Sequence, residues 1–527
     1  MDCSPVLRRT PEVITRNKAA GAPKSRPAVW FGIAALAIVA ALAPSLASAQ
    51  FLPVAPAPAP DMQAGKPRVF VLTDMGNEPD DQMSMVRLML YTNEMDIEGL
   101  VATTSTWLRR KINPETIRGI VDAYGEVRPN LLKHAKGWPQ AKQLAARVSS
   151  GQPSYGMAAV GPGKSSAGST ALIAAVDRAD ERPLWISVWG GANTLAQALR
   201  DVRESRTPAE LAAFVAKMRV YSISDQDDAG PWIRREFPGL FYVVSPSNPD
   251  ATGYASATWS GIAGDVFYRN GAGADFSKIT NEWLDQNIRS VGPLGRHYPK
   301  YEYIMEGDTP AYLWFVDNGL QSWRSPSWGG WGGRYNWFQP YGETHPIWTN
   351  GGEVGPRVDS RDSVVGADGQ THVSDEATIW RWRNAFQNDF AARMQWTIKP
   401  FAAANHAPVA VINGDPTGQP LTIQAQQGKP VVLDAGGSHD IDKQKLRFRW
   451  FHYQEAGFQP NIALADLSLE GADQARATIV PTAACRRTWG ERQRPCRGGV
   501  AHVILEVTDT GEPALTKYRR VIIDVRP

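Results

Sequence analysis

The sequence predicts an α/β domain with a mostly parallel sheet and helices on both faces, followed by an Ig-like β-sandwich. Between residues 68 and 245, short apolar runs of strand length alternate with stretches of helical periodicity, a pattern typical of parallel sheets. After residue 405, seven short β-type runs follow one another with turn residues between them, which is typical of a sandwich. The two patterns predict an α/β domain over 66–400 and a sandwich over 405–527, the latter folding independently.

The elements follow in order along the chain. In the first domain, strands are predicted at 68–72, 97–104, 184–188, 218–223 and 241–245, and helices at 83–91, 114–124, 170–177 and 192–202. Pro114 suits the first position of its helix, and Asn113 is the expected N-cap. The β-type runs of the second domain are 409–412, 421–425, 430–435, 446–453, 477–481, 502–509 and 518–525.

The first 49 residues resemble a cleavable export signal. A basic stretch precedes 16 consecutive apolar or glycine residues, 28–43, and Ala47-Ser48-Ala49 supplies a small-residue cleavage site. An uncleaved N-terminal anchor is the alternative, since 16 residues fall just short of a membrane span. Residues 50–65 then form an Ala/Pro-rich linker. We therefore expect a secreted or periplasmic protein with no stable membrane span after processing.

Charge and cysteine content fit that location. Residues 1–49 carry six basic and two acidic side chains, so removing them takes the net charge from +3 to −1. A nearly neutral protein lacks the basic surface of a nucleic-acid binder. Cys485 and Cys496 would be the two mature cysteines, and an even pair in an exported chain predicts a disulfide.

The strongest chemical signal is the segment Leu72-Thr73-Asp74-Met75-Gly76-Asn77-Glu78-Pro79-Asp80-Asp81. It places four carboxylates and an amide directly after a buried strand. Like charges at this density repel unless a cation neutralises them, and hard oxygen ligands favour Ca²⁺ or Mg²⁺. A solvated acidic turn that begins the next helix is the alternative interpretation.

Three segments in order resemble the calcium-binding motifs of nucleoside hydrolases. They are the acidic segment with Asp74, Gly76 and Asp80-Asp81, the turn Val188-Trp189-Gly190-Gly191-Ala192-Asn193-Thr194, and the loop Glu306-Gly307-Asp308-Thr309-Pro310. With the sandwich, they resemble more narrowly the secreted bacterial proteins described as cellulose-binding. The resemblance implies a nucleoside-hydrolase-like fold for the first domain.

The resemblance also implies roles for single residues. Asp74, Asp80, Asp81, Asp308 and the Trp189 carbonyl would bind Ca²⁺, and Asp74 or a neighbouring carboxylate would be the general base. Candidate substrate contacts within the same segments are Glu78, Asn193 and Glu306. The chain departs from the nucleoside hydrolase pattern by a two-residue insertion, by Leu72 in place of its first Asp, and by Gly307 where some members carry a histidine that protonates the leaving base.

Two further segments are candidate saccharide contacts. In Ser224–Trp232, the side chains of Asp225, Gln226 and Asp227 could hydrogen-bond hydroxyl groups while Trp232 offers a stacking face; an N-cap cluster for the following helix is the alternative. Between 323 and 348, five tryptophans lie among glycines, which indicates a loop. We expect Trp328 and Trp331 to stack on sugar rings, the alternative being a lid that buries its own rings.

Two functions remain open from the sequence. One is a Ca²⁺-dependent hydrolase acting on N-glycosyl or glycosidic bonds. The other is a non-catalytic protein that binds a carbohydrate such as cellulose. The expected ligand is a saccharide, a nucleoside-like small molecule or a plant-type polysaccharide.

Overall fold

The computed structural model describes residues 57–61, 65–76, 78–247, 261–351, 360–459, 462–486 and 495–527. The predicted signal peptide over 1–49 and most of the predicted 50–65 linker lie outside the described residues. Within the described part of the chain, no helix combines the length and apolarity needed to cross a bilayer.

An eight-stranded sheet organises the first domain, in the order β3-β2-β1-β4-β5-β6-β8-β7. Its strands are β1 Arg68–Thr73, β2 Asp96–Ala102, β3 Val148–Ser150, β4 Leu184–Val188, β5 Met218–Ser224, β6 Phe241–Ser245, β7 Asn336–Phe338 and β8 Ile347–Thr349. All neighbours pair in parallel except β7 and β8, which are antiparallel. The prediction of a mostly parallel sheet is confirmed.

Helices cover both faces of this sheet. They are α1 Asp80–Met89, α2 Pro114–Leu131, α3 Ala141–Ala145, α4 Ala167–Asp177, α5 Asn193–Ser205, α6 Pro208–Ala216, α7 Ala229–Glu236, α8 Gly264–Tyr268, α9 Asn281–Leu284, α10 Gly292–Gly295, α11 Pro310–Leu313, α12 Ala377–Trp380 and α13 Arg383–Trp396. Alternate residues of β1 face opposite sides: Val69 and Val71 join one apolar cluster with α1 and α2, whereas Phe70 and Leu72 join another with α4, α5 and α7.

A small hairpin and two further sheets complete the structure. Strands β9 Asp362–Val365 and β10 Thr371–Ser374 form the hairpin. The C-terminal strands are β11 Leu421–Gln426, β12 Val431–Asp434, β13 Arg447–Tyr453, β14 Asp466–Glu470, β15 Arg476–Ala483, β16 Gly499–Thr508 and β17 Thr516–Arg526. They form the sheets β11-β17-β16-β13 and β12-β15-β14 around a shared apolar core, as predicted for a sandwich. Cys485 and Cys496 form the predicted disulfide, with Cα atoms 5.8 Å apart.

The α/β domain and the sandwich are not separate bodies. The described residues from 57 to 527 form one compact unit, and Tyr453 and Tyr518 of the sandwich belong to the same apolar cluster as α1 and α2. The ring of Tyr518 packs against Trp331 and Trp382, with centroids 6.4 and 5.4 Å apart. Independent folding of residues 405–527 stays a prediction, and the shared apolar cluster argues against it.

Candidate functional site

The acidic loop between β1 and α1 lies at the carboxyl edge of the parallel sheet. The loops after β4 and β5 leave the sheet at the same edge, which is where ligands bind in open α/β folds. Gly76 has φ +103°, and a Cβ there would lie 2.6 Å from the Asn113 side-chain nitrogen. Asn113 is the N-cap residue of α2, as predicted, but its side chain makes no capping hydrogen bond. Its Nδ2 instead donates to the Met75 carbonyl at 2.6 Å and so braces the loop.

Three carboxylates meet beside this loop. Asp80 and Asp81 open α1, and Asp308 follows the left-handed residue Glu306 (φ 52°) in the loop before α11. One oxygen from each of the three lies within 4.8 Å of the other two. The hydroxyl of Thr73 donates to Asp81. The structure therefore brings together residues that are about 230 positions apart in sequence and were predicted to share a metal ion.

Burial and mutual repulsion dominate the electrostatics of the cluster. Burial raises the pKa of Asp80 to about 8, reinforced by the charges of Asp74 and Glu78. The pKa values of Asp81 and Asp308 lie well above their ordinary range, first from burial and then from neighbouring carboxylates. Among the described residues, no lysine or arginine forms an ion pair with these groups. A bound cation would supply the missing positive charge.

Asp74 occupies the floor of the same site. It is 3% exposed, and Ser105 donates to its Oδ2 at 2.5 Å. Its other oxygen, Oδ1, is buried with no hydrogen-bond partner among the described residues, and a Cβ at Gly190 would lie 2.5 Å from it. Burial, with a contribution from the charge of Glu78, raises the pKa of Asp74 to about 7. An unpaired buried carboxylate oxygen beside three clustered carboxylates fits a hard cation such as Ca²⁺.

The turns after β4 and β5 contribute two side-chain amides and a backbone carbonyl. The Gln226 side chain donates through Nε2 to the Trp189 carbonyl at 2.5 Å, so the oxygen predicted to bind metal already accepts this hydrogen bond. Gln226 Oε1 and Asn193 Oδ1 are both buried, and neither has a hydrogen-bond partner within the described segments. Asn193 Nδ2 donates to the Ser154 carbonyl at 2.8 Å, so its amide is held by the loop after β3.

Most of the predicted Ser224–Trp232 contact segment is structural. Arg234 holds Asp225 through two hydrogen bonds of 2.8 and 2.9 Å. Asp227 accepts from the backbone N–H groups of Asn193 and Ala229, the latter at the start of α7. Trp232 packs against Phe237 and Arg203. Only Gln226 of this segment's four predicted contacts lines the cavity described below, so a substrate contact is not supported for Asp225, Asp227 or Trp232.

Glu306 is also placed differently from the sequence prediction. Its carboxylate is fully buried, where it accepts from Arg87 Nη2 at 2.9 Å, from the Tyr298 hydroxyl at 2.6 Å and from Thr309 Oγ1 at 2.7 Å. These partners hold the Glu306 side chain in the protein interior. Glu306 is therefore a positioning residue for the Asp308 loop rather than a substrate contact.

The prediction of an exposed tryptophan loop is wrong for both of its key residues. Trp328 and Trp331 are 5% and 1% exposed. Trp328 meets His502 of the sandwich, with ring centroids 5.6 Å apart, and Trp331 packs on Phe386 and Tyr518. Glycine content indicates a loop, but it does not reveal that a second sheet covers that loop.

An open cavity of about 480 Å³ lies above the acidic floor. Its described lining residues are Asp74, Glu78, Asp80, Asp81, Trp107, Ile223, Gln226, Phe267, Tyr268, Tyr303 and Ile304. Burial, followed by the charge of Asp80, raises the pKa of Tyr268 to about 12. Glu78, the predicted substrate contact, lies in the wall of this cavity, whereas the aromatic residues of the wall were not predicted. They come from separate loops and carry no shared sequence motif.

Comparisons with known proteins agree with this architecture. The family model for the nucleoside hydrolase-like domain of cellulose-binding Sde182 matches residues 68–335. The model for the C-terminal domain of cellulose-binding protein Sde0182 matches residues 430–525. A search of curated proteins found no match.

One solved structure agrees with these family matches. A nucleoside hydrolase-related hypothetical protein from Saccharophagus degradans, described as associated with carbohydrate metabolism, is 36% identical. The match covers 88% of this chain and all of that one, with a TM-score of 0.71. The effector protein XOO4466 is 11% identical over 64% of this chain and 95% of its own, with a TM-score of 0.29. By both domain matches and by the Saccharophagus relative, this chain belongs to the cellulose-binding Sde182 family, whose members carry a nucleoside hydrolase-like domain.

Proposed function

We propose that this protein is a Ca²⁺-dependent hydrolase that binds saccharides and cleaves a glycosidic or N-glycosidic bond. One observation carries the proposal: Asp80, Asp81 and Asp308 converge beside the unpaired oxygen of Asp74 on the floor of an open cavity. The family's description as cellulose-binding supports a saccharide as the ligand.

Asp80, Asp81 and Asp308 would hold the cation, with Asp74 Oδ1 adjacent to it. A bound Ca²⁺ supplies positive charge that offsets the clustered carboxylates and attracts sugar hydroxyl groups. The donor set is composed of oxygen atoms, as a hard cation requires. Glu78 on the wall and Gln226 beside the floor add polar groups for orienting the sugar.

Asp74 is the candidate general base. Ser105 fixes one of its oxygens by a hydrogen bond, and the other oxygen has no hydrogen-bond partner in the part of the chain that the structure describes. That second oxygen would accept a proton from a water molecule as the water attacks the anomeric carbon. The bond from that carbon to the leaving group breaks, and the leaving group takes up a proton from solvent.

A non-catalytic carbohydrate-binding protein is the second candidate function. Gly307 favours it, because this position offers no side chain that could protonate a leaving group. The same acidic floor would then bind a cation and sugar hydroxyl groups without turnover. The two candidates share a ligand class and differ in whether a bond is cleaved.

The deciding experiment is an assay of the mature protein against nucleosides and gluco-oligosaccharides, with Ca²⁺ or with a chelator. We expect turnover that the chelator abolishes and that Asp74→Asn lowers by at least about 100-fold, the lower range for general acid–base catalysis. Asp122→Asn is the matched control, since Asp122 is an exposed aspartate on α2. Saccharide binding without any turnover would establish the non-catalytic alternative.

We further propose that the protein works in the periplasm or outside the cell. The Cys485–Cys496 bridge supports this proposal, because disulfides persist in oxidising compartments. Alkylation of the protein taken directly from its native compartment tests it. Both cysteines should resist alkylation until a reductant is added, and reactive thiols would contradict the proposal.

A further inference from the structure

The aromatic residues at the mouth of the acidic cavity are unusually exposed. Trp107 is 43% exposed, Phe267 49% and Tyr303 54%. The described part of the chain has six strongly exposed aromatic residues, and these three line one cavity. Single exposed apolar side chains are ordinary, whereas a group of them at one place indicates a binding surface.

The exposed rings are continuous with the acidic floor. Phe267 meets Tyr268 edge-on, with ring centroids 5.2 Å apart at 79°. Tyr268 lines the cavity together with Asp80. A ligand whose first sugar ring lies at the carboxylates would therefore extend its next ring onto Phe267 and Tyr303.

The arrangement of the rings bears on the kind of ligand. Phe267 and Tyr303 lie 6.2 Å apart at 84°, so neither this pair nor Phe267 with Tyr268 forms a parallel slot. A planar base gains most between two parallel rings. A pyranose instead places one C–H face on a single ring and keeps its equatorial hydroxyl groups at the edge.

The size of the cavity agrees with a ligand larger than one sugar. Its volume of about 480 Å³ falls within the range of about 300–1,000 Å³ of sites that hold drug-sized molecules. The carboxylates occupy only the floor, so the aromatic mouth adds a second region of different chemistry. The polar floor and the apolar wall of the cavity together suit a ligand made of linked sugar rings.

We propose that Phe267 and Tyr303 form a second-ring subsite, so that the site binds glycosides of two or more pyranose rings in preference to a monosaccharide. This inference rests on the proposed function, which places the first ring at the carboxylates. Trp107 lines the same cavity and would contact the same ligand.

Calorimetric titrations of the full mature chain with cellobiose, methyl β-glucoside and inosine, in Ca²⁺, test the subsite. Cellobiose should bind more tightly than methyl β-glucoside. The double variant Phe267→Ala/Tyr303→Ala should weaken cellobiose binding by roughly tenfold, as expected when the second sugar ring loses its aromatic contact. Binding of methyl β-glucoside should stay unchanged. Tyr341→Ala is the matched control, because Tyr341 is exposed but does not line this cavity.

Several results would overturn the subsite. In the wild type, these are equal affinity for cellobiose and methyl β-glucoside, or no binding of cellobiose. In the double variant, they are an equal loss of affinity for both sugars, or a loss of affinity for inosine alone.

A Ca²⁺ titration of each variant separates this inference from the proposed function. Intact Ca²⁺ binding and turnover with no second-ring preference would refute the subsite alone, whereas absence of Ca²⁺ binding and turnover in the wild type would refute the proposed function.

Discussion

Asp80 carries the cation-binding proposal at the scale of a single residue. Ca²⁺ that binds the folded protein alone should raise the melting temperature in a concentration-dependent manner. Asp80→Asn removes one charge from the three-carboxylate cluster while keeping its size, so the rise should vanish or need far more Ca²⁺. Differential scanning calorimetry across millimolar Ca²⁺ measures this effect. Asp122→Asn should retain the wild-type rise, and a wild-type protein insensitive to Ca²⁺ would contradict the site.

Trp331 tests whether the tryptophan loop is core. The side chain is buried between Phe386 and Tyr518, so Trp331→Ala should lower the free energy of unfolding by about 3–5 kcal/mol. Tyr341→Ala, on the same stretch of chain but 75% exposed, should change it by less than about 0.5 kcal/mol. Urea unfolding of both variants gives the comparison. If both variants changed the free energy of unfolding by similarly small amounts, Trp331 would not be a core residue.

His502 predicts a pH dependence of stability. It is buried, and Arg520 donates to its Nδ1 at 2.9 Å. Burial first, and then the charge of Arg520, keeps the pKa of His502 well below 6.5. The unfolded chain binds a proton near pH 6.5 and the folded chain does not, so stability falls as pH drops below that value.

The measurement is the difference in unfolding free energy between wild type and His502→Gln, as a function of pH. Relative to His502→Gln, the wild type should lose roughly 2 kcal/mol of unfolding free energy between pH 7 and pH 5, as the linkage relation requires. Taking a difference cancels the titration of the other groups, which both proteins share. A constant difference would mean that His502 titrates normally in the folded state.

At the scale of elements, burial decided which predictions succeeded. The strands at 184–188 and 241–245 were predicted with their observed bounds, because each is a continuous apolar run between turn residues. Strand β14, Asp466–Glu470, was missed because it is only partly buried. The run 409–412 was predicted as a strand, but it makes isolated bridges through Val409 and Ile412.

The site was predictable only in part for a related reason. The acidic residues of the loop after β1 are adjacent in sequence, and family resemblance linked them to Asp308. The aromatic wall comes from residues near 107, 267 and 303, which only the folded chain brings together. Trp328 looked accessible because nothing local shows that β16 packs over it.

The loop Glu306–Thr309 depends on a buried ion pair with α1. Arg87 lies within α1, and its partner Glu306 begins the loop that carries Asp308. Arg87→Met should lower the free energy of unfolding by about 3–5 kcal/mol, because it leaves a buried carboxylate without its cation. Adding Glu306→Gln should recover part of that loss. Urea unfolding checks the stability, and a weakened Ca²⁺-induced rise in melting temperature checks the position of Asp308; an unchanged rise would mean that the pair supports the fold alone.

For the whole molecule, the structure predicts that the α/β domain and the sandwich stay together after the connecting chain is cut. Arg520 of the sandwich donates to the carbonyls of Leu320 and Gly329 at 2.8 and 2.9 Å, and the Tyr453 hydroxyl donates to Asp362 at 2.6 Å. Together with the packed tyrosine and tryptophan rings, these hydrogen bonds form a buried interface whose apolar part separation would expose to water.

A protease site inserted between Ala402 and Ala403, both exposed, tests this prediction on the full chain. After cleavage, the pieces should elute together in size-exclusion chromatography and melt in one transition. The Cys485–Cys496 bridge lies inside the C-terminal piece, so no covalent bond would join the two. The uncut protein is the control for the insertion itself. Two separately eluting pieces, each with its own melting transition, would show that the shared core is dispensable and that the sandwich is an independent domain.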